Sequence, residues 1–333
     1  IKRVNQIIHI GASTDFGLAI DESRKYNVQG TKYVLDLAEA CHREGHFKRF
    51  DYISTAFVSG KLKGEVTELD LERNQTFANP YEQSKYEAEQ LVRKRSGKFG
   101  VVIHRPSIVV GHSKNGYTPH FKVLYWPLKL LKTGIVPFIP ASRTAKLDIV
   151  PIDYVADSIV ALCQQDDVLG ETFHITCGRG NEVSMGSIVK DAAKFAQLQK
   201  RPMFPFWVFE LISKTPLKHL FSDDFWAMAE MAMPYSDYLR GNGVRFNNDR
   251  SVAKLKQLGI VAPNWEDYKD KVLTYCRTSK WGKVRTRPEY LYYADDVRRR
   301  GQNDIAADHN NNESPIQRRQ QRSPFVVIAG QKP

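Results

Sequence analysis

"FKRFDYIST", residues 47–55, reads as a strand, and its neighbours decide how that strand is used. On its N-terminal side lies "QIIHIGAS" (6–13), a short apolar run ending in small residues. That pattern fits a buried parallel strand entering a tight loop. Between the two runs, "TKYVLDLAEACHREG" (31–45) places Val34, Leu37, Ala38 and Cys41 at i, i+3, i+4, i+7 spacing. This predicts an amphipathic helix closed by Gly45 as its cap. On the C-terminal side, a helix is expected from Tyr81, and "FGVVIHRPSIVVG" (99–111) reads as a third strand. Strands alternating with helices imply right-handed crossovers and a parallel sheet. In such open sheets ligands sit outside the carboxyl ends of the strands. The segments "GAS", "STA" and "RPS", which close the three strands, should therefore converge on one crevice.

From about Gly116 the pattern changes. "YTPHFKVLYWPLKLLKTGIVPFIP" (117–140) is aromatic and punctuated by proline. "LDIVPIDYVADSIVALCQ" (147–164) is a strand entering a helix, with Asp153 near the helix start. "ETFHIT" reads as a strand, and "SMGSIVKDAAKFAQL", "MFPFWVFELI", "DDFWAMAEMAMPYSDYL" and "WEDYKDKVLTYCRT" read as helices. After Trp281 the chain turns to Arg, Asn, Gln and Asp, a composition that buries too little apolar surface to offset ordering entropy. The expected organisation is a parallel α/β unit over residues 1–115 and a second, more helical region over 116–282, interleaved with the last sheet elements. A disordered polar tail is expected over 283–333.

The 333 residues carry a net charge of +12, and residues 283–333, with ten Lys/Arg and six Asp/Glu, hold four of those charges. No basic stripe interleaved with aromatics and no nucleic-acid motif is seen, so a phosphate-bearing ligand accounts for the excess more simply. The cysteines Cys41, Cys163, Cys177 and Cys276 are scattered, which fits reduced thiols and no metal site. No apolar run reaches membrane-spanning length. Taken together, these features predict a cytoplasmic protein. "PFWVFELISKTPLKHLF" (205–221), where Lys214, Lys218 and His219 flank apolar residues, leaves peripheral contact with a membrane surface open. "HFKVLYWPLKLL" and "FWVFELI" offer apolar surface for an acyl chain, or else the core of the second region.

The chemistry centres on "NPYEQSKYEAEQ" (79–90). Tyr81 and Lys85 stand four residues apart, on one helix face. An ammonium beside a phenol favours the phenolate, which is expected to lower the Tyr81 pKa toward neutrality. A Tyr so tuned exchanges a proton with an alcohol or an alkoxide. Alone, this spacing is also what a solvated helix face presents. Asn79 and Pro80 place Tyr81 at a helix start, and Ser54 and Thr55 close the preceding strand, which favours a Thr-Tyr-Lys constellation. His9, inside an apolar strand, reads as a satisfied core histidine.

The ordered set "HIGAS", "NVQGT", "ISTAFVSG", "NPYEQSK", "HRPSIVVG" and "VPIDYVAD" resembles the extended short-chain dehydrogenase/reductase superfamily. It is most similar to the thioester reductase and fatty acyl-CoA reductase branch of the male-sterility type. The resemblance covers roughly residues 7–276. It implies an α/β fold, a Rossmann-like doubly wound parallel sheet with a smaller, mostly helical C-terminal substrate domain. It implies that Thr55 and Tyr81 bind the substrate carbonyl, with Tyr81 as proton donor and Lys85 as the residue that tunes it and contacts a ribose. Asn27 would support a proton-relay water or the local backbone. Gly11, Ala12, Ser13 and Ser54 would lie along the cofactor, and Pro106, Ser107 and Ile108 would flank its nicotinamide. Asp153 matches a position that orders loops near the site, or is simply a helix cap.

The family's Gly-rich turn on the first strand has no counterpart here; "GRG" at 178–180 and "GNG" at 241–243 are turns. The expectation is therefore an N-terminally truncated sheet, with residue 7 in its fourth strand and an exposed edge beside it. The implied activity is NADP-dependent reduction of an acyl-CoA or acyl-carrier-protein thioester to an aldehyde or alcohol, NAD not being excluded. The alternatives are a nucleotide-sugar epimerase or dehydratase, a hydroxysteroid-type dehydrogenase, and a non-catalytic Rossmann-like interaction module.

Overall fold

The computed structural model describes residues 3–284, apart from 122, 126, 127, 129, 130, 133–135 and 242, together with the strand Phe325–Ile328. Strands β1 (Gln6–His9), β2 (Arg49–Ile53) and β3 (Gly100–Pro106) lie side by side with β4 (Thr172–Ile175). All pairs are parallel, with Ile8 opposite Asp51, Asp51 opposite Val102, and His104 opposite Phe173.

Both faces of the sheet are covered, and the period of two explains how. Ile7, Phe50, Tyr52, Val101 and Ile103 point to one face. There they bury against Leu35, Ala38 and Cys41 of helix α1 (Gly30–Arg43) and Ala88 and Val92 of helix α2 (Pro80–Arg93). Val102, Phe173 and Ile175 point to the other face, against Tyr154, Val155 and Leu162 of helix α3 (Ile152–Cys163). Helices on both faces of a parallel sheet make the doubly wound α/β arrangement expected from the strand–helix alternation. The inward stripe of α1 differs in detail: Thr31, Leu35, Ala38 and Cys41 are buried, whereas Leu37 is 36% exposed. Docking on Ile7 and Phe50 sets the rotation of that helix, and spacing alone cannot.

Strand β3 stops at Pro106, and a short strand Ile108–Val110 leaves the sheet to pair with Ile149–Pro151. This break swings the chain into a second region whose core is Leu124, Tyr125, Leu128, Phe138, Leu147, Ile188, Phe206, Phe209, Trp265 and Tyr268. Among the described residues of the runs at 120–131 and 206–212, Leu124, Tyr125, Leu128, Leu131, Phe206 and Phe209 serve as core. Trp207, Leu211, Leu217 and Leu220 stay exposed. Helices Phe206–Lys214 and Asp223–Ala232, with the turn Pro216–Leu220 between them, border an open groove of about 690 Å³ lined by Phe209, Lys214, His219, Phe221 and Trp226. No helix among the described residues is long and apolar enough to cross a membrane.

The edge beside β1, expected to be open, is occupied. Phe325–Ile328 forms a parallel strand along it, with Gln6 opposite Phe325 and His9 opposite Ile328. These four residues lie within the stretch expected as a polar tail, and an unpaired edge offers backbone donors and acceptors to any extended apolar segment. The remainder of 285–333 lies outside the described residues. All four cysteines are free and buried.

Candidate active site

Helix α2 begins where its sequence requires. The Asn79 carboxamide oxygen accepts from the Glu82 amide at 3.0 Å, and Pro80 fills the first helical position. This start presents Tyr81 and Lys85 toward the carboxyl ends of β1 and β2. Thr55 follows β2 directly. Its hydroxyl donates to the Pro106 carbonyl at 3.3 Å, accepts from the Phe57 amide at 3.3 Å, and meets the Tyr81 hydroxyl. The ends of β2 and β3 and the start of α2 are thus tied at one point, and the expected Thr-Tyr pair is brought together.

The electrostatics differ from expectation. Burial pushes the Tyr81 phenol up to about 12, with the Thr55 hydrogen bond opposing. Lys85 does not lower it. Its nitrogen donates to the Tyr52 hydroxyl and the Ile53 carbonyl, each at 2.8 Å. Only 2% exposed, Lys85 is itself lowered to about 7 by burial, with Glu89 opposing. Tyr81 in this state is a protonated donor, and Lys85 is a buried amine poised between charge states at neutral pH.

Asn27 lies in a π-helical turn, Lys25–Gln29, ahead of α1. Its amide donates to the Ser13 carbonyl (3.1 Å) and the Ser84 hydroxyl (2.9 Å), and its oxygen accepts from the Ser13 amide at 2.7 Å. Ser84 in turn donates to the Tyr81 carbonyl at 3.0 Å. Asn27 therefore clips the loop carrying Gly11, Ala12 and Ser13 to the first turn of α2. Of its two expected roles, the structure displays the contact with local backbone. Asn27→Ala removes two hydrogen bonds to that loop at once. The expected result is binding of a nicotinamide dinucleotide weakened about 10-fold, from roughly 1 kcal/mol or more of lost ordering. Fluorescence titrations of reduced dinucleotide against both proteins check it.

The other expected residues fall into two groups. Gly11, Ala12 and Ser13 are partly accessible at the end of β1, and Pro106, Ser107 and Ile108 stand at the end of β3, with β2 between the two strands. The Ser107 hydroxyl donates to Asp148 at 2.5 Å, and Asp148 also accepts from the Cys177 amide at 2.9 Å. Burial raises the Asp148 carboxyl to about 6. The Ser54 hydroxyl turns away from the crevice and donates to Glu89 at 2.6 Å. His9 is 3% exposed, meets the Thr31 hydroxyl at 3.1 Å, and is lowered to about 4 by burial. It is a core histidine, but its Nδ1 has no hydrogen-bond partner among the described residues, so it is not the fully satisfied one expected. Asp153 is not the cap of its helix, a place taken by Pro151. It accepts from the Ser113 amide and hydroxyl, and so orders the loop after Val110.

Sequence reading missed the aromatic wall. Phe16 stacks on Tyr81 with centroids 5.3 Å apart, and also contacts Tyr235 and Tyr238. The Tyr238 hydroxyl donates at 2.7 Å to Glu82, whose carboxyl burial raises to about 7. Tyr235, Tyr238, Ile108, Leu128 and Met185 surround a small apolar cavity of about 20 Å³. The only signal for this wall was the aromatic content of "MPYSDYL", which spacing does not assign to a site. Asp51, His104 and Cys163 bring possible metal ligand atoms within 4.8 Å of one another. Asp51 already accepts from Arg49, Gln6 and His104, and the guanidinium balances its charge.

An NAD-binding family described as "Male sterility protein" matches residues 1–159. Glycine betaine reductase ATRR of Emericella nidulans is 33% identical over 199 residues, 57% of this chain and 15% of that protein. Aldehyde reductase lnaA of Aspergillus flavus is 28% identical over 182 residues, 51% of this chain and 17% of that protein. The chain thus spans less than a fifth of the length of these curated relatives. Among solved structures, the terminal R domain from the myxalamid PKS-NRPS pathway superposes with a TM-score of 0.66. It is 24% identical, and the match covers 85% of this chain and 69% of the other, a likeness of fold.

Proposed function

Because the chain belongs to the extended short-chain dehydrogenase/reductase superfamily, in its reductase branch with a male-sterility-type NAD(P)-binding domain, we propose that it reduces acyl thioesters with NADPH. The observation that carries the reading is the Thr55–Tyr81 hydroxyl pair at the carboxyl ends of the strands, with Lys85 buried behind it.

The residues present fit the dinucleotide. The Gly11–Ser13 backbone, held by Asn27, and the Lys85 nitrogen are donors and acceptors suited to its ribose and amide groups. Pro106, Ser107 and Ile108 offer a flank for a flat ring. NADPH, when bound, supplies hydride. The protein's own part is to hold the carbonyl oxygen between the Thr55 and Tyr81 hydroxyls and to give it the Tyr81 proton as charge develops. A protonated Tyr81 suits the reductive direction. The substrate arm then lies along the aromatic wall of Phe16, Tyr235 and Tyr238, beside the apolar second region. NADP is proposed over NAD on the branch resemblance.

The test is to mix the protein with NADPH and a medium-chain acyl-CoA and to follow NADPH absorbance and trapped aldehyde together. One aldehyde per NADPH supports the thioester reading. Consumption only with an aldehyde substrate shifts the reading to an aldehyde reductase. NADPH bound but never consumed, with any acyl carrier, removes the enzymatic reading.

A further inference from the structure

We propose that Tyr52 and Thr31 are positioning residues for Lys85, two buried hydroxyls in series that hold its nitrogen at the floor of the crevice. The inference deepens the reductase reading and rests on it for the role of Lys85.

The contacts run in one direction. The Lys85 nitrogen donates to the Tyr52 hydroxyl at 2.8 Å and lies 4.2 Å from the centre of the same ring. A phenol that accepts from a cation sends its own proton onward. The Tyr52 hydroxyl meets that of Thr31. Thr31 has one proton to give, and gives it to the Asn27 carbonyl at 2.6 Å. The line from Lys85 through Tyr52 and Thr31 therefore ends on the backbone of the residue whose side chain clips the Gly11–Ser13 loop. Because the Thr31 proton is committed, His9 must donate to Thr31 through Nε2, which fixes its tautomer.

Every member is out of water: Tyr52 is 0% exposed, Thr31 and Asn27 1% each, Lys85 2%. In a dry site such a chain polarises in series, and each hydroxyl strengthens the next. Shape alone does not need it, since Phe and Val would fill the same space. The charged group acting on Lys85 is Glu89, which attracts it, while Lys85 in turn lowers His9, which stays neutral. Glu89 is tied to Arg105, Arg93 and Ser54, so it cannot turn to hold the amine. Among the described residues, the Ile53 carbonyl is the one other acceptor for the Lys85 nitrogen. Positioning thus falls to Tyr52 and, through it, to Thr31.

The experiment uses Tyr52→Phe, Thr31→Val and Thr31→Ser. Lysine labelled with ¹³C at Cε reports the protonation midpoint of Lys85 by NMR, assigned by the signal lost in Lys85→Arg. Loss of an acceptor for the ammonium is expected to lower the Lys85 proton affinity about 10-fold in Tyr52→Phe. Thr31→Val should shift it in the same direction, and Thr31→Ser should keep the wild-type midpoint. The pH profile of thioester reduction should move with the midpoint, in kcat and not in KM. An unchanged midpoint in Tyr52→Phe overturns the proposal. So do equal shifts in Thr31→Val and Thr31→Ser, which would mean packing alone. If Tyr52→Phe does not fold, the Thr31 pair decides. Shifted midpoints in a protein that never reduces a thioester leave the positioning intact and overturn the reductase reading instead.

Discussion

Tyr81→Phe is expected to cut NADPH-dependent turnover by about 10²- to 10⁴-fold, the range for removing a positioned proton donor. NADPH binding should change little, because the ring stays stacked on Phe16 and only the hydroxyl is lost. The pH dependence should depart from that of a Tyr activated by a neighbouring cation. The Tyr81 phenol sits near 12, so it stays protonated throughout the working range. The group that changes charge near neutrality is Lys85, at about 7. Reductive turnover should therefore fall as pH rises through about 7, when the ammonium that helps bind polar groups becomes an amine. Steady-state rates of the wild-type protein from pH 5.5 to 9 check this, within the range where general acid–base groups are read. A profile flat across pH 7 would sink the assignment of Lys85 to the site.

Glu89→Ala is expected to destabilise the fold by about 3–5 kcal/mol, the cost of leaving a buried charge without its partner. Glu89 is fully buried in the middle of helix α2. It accepts from Arg105 at 2.6 and 3.1 Å, from Arg93 at 3.0 Å and from Ser54 at 2.6 Å. Arg105 is also fully buried, so deletion leaves its guanidinium with the Glu68 carbonyl and His174 as its remaining hydrogen-bond partners among the described residues. These contacts, Arg105 first, hold the Glu89 carboxyl at about 2, below the usual carboxylate range, against the penalty of burial. The folded value lies under the unfolded one. This stabilisation is therefore complete above the unfolded carboxylate pKa, near 4.3, and is lost as pH falls through about 2. Urea denaturation of Glu89→Ala and the wild type at pH 7 and at pH 3 checks both parts. The difference should be largest at pH 7 and smaller at pH 3.

Several features were fixed by local sequence. The alternation of apolar runs with amphipathic helices imposes a parallel sheet, and β1, β2 and β3 lie in it side by side. Asn79 and Pro80 start α2 within one residue of the expected Tyr81, because a cap and a preset φ act within one turn. The convergence of "GAS", "STA" and "RPS" follows from strand direction alone. Other features were settled only when distant segments met. "SKYEAEQ" reads as the charged face of a solvated helix. Burial of Glu89 depends on Arg105, a residue of the next strand. Lys85 stands at the spacing that suggests a partner for Tyr81, yet the strand behind it supplies Tyr52, whose hydroxyl accepts the Lys85 hydrogen bond at 2.8 Å. The aromatic wall joins Phe16 to Tyr235 and Tyr238 across more than two hundred residues, beyond the reach of periodicity. Local sequence settles what depends on the next turn of backbone. The charge states of Tyr81, Lys85 and Glu89 depend on desolvation, and that exists only once the sheet and its two covering layers have closed.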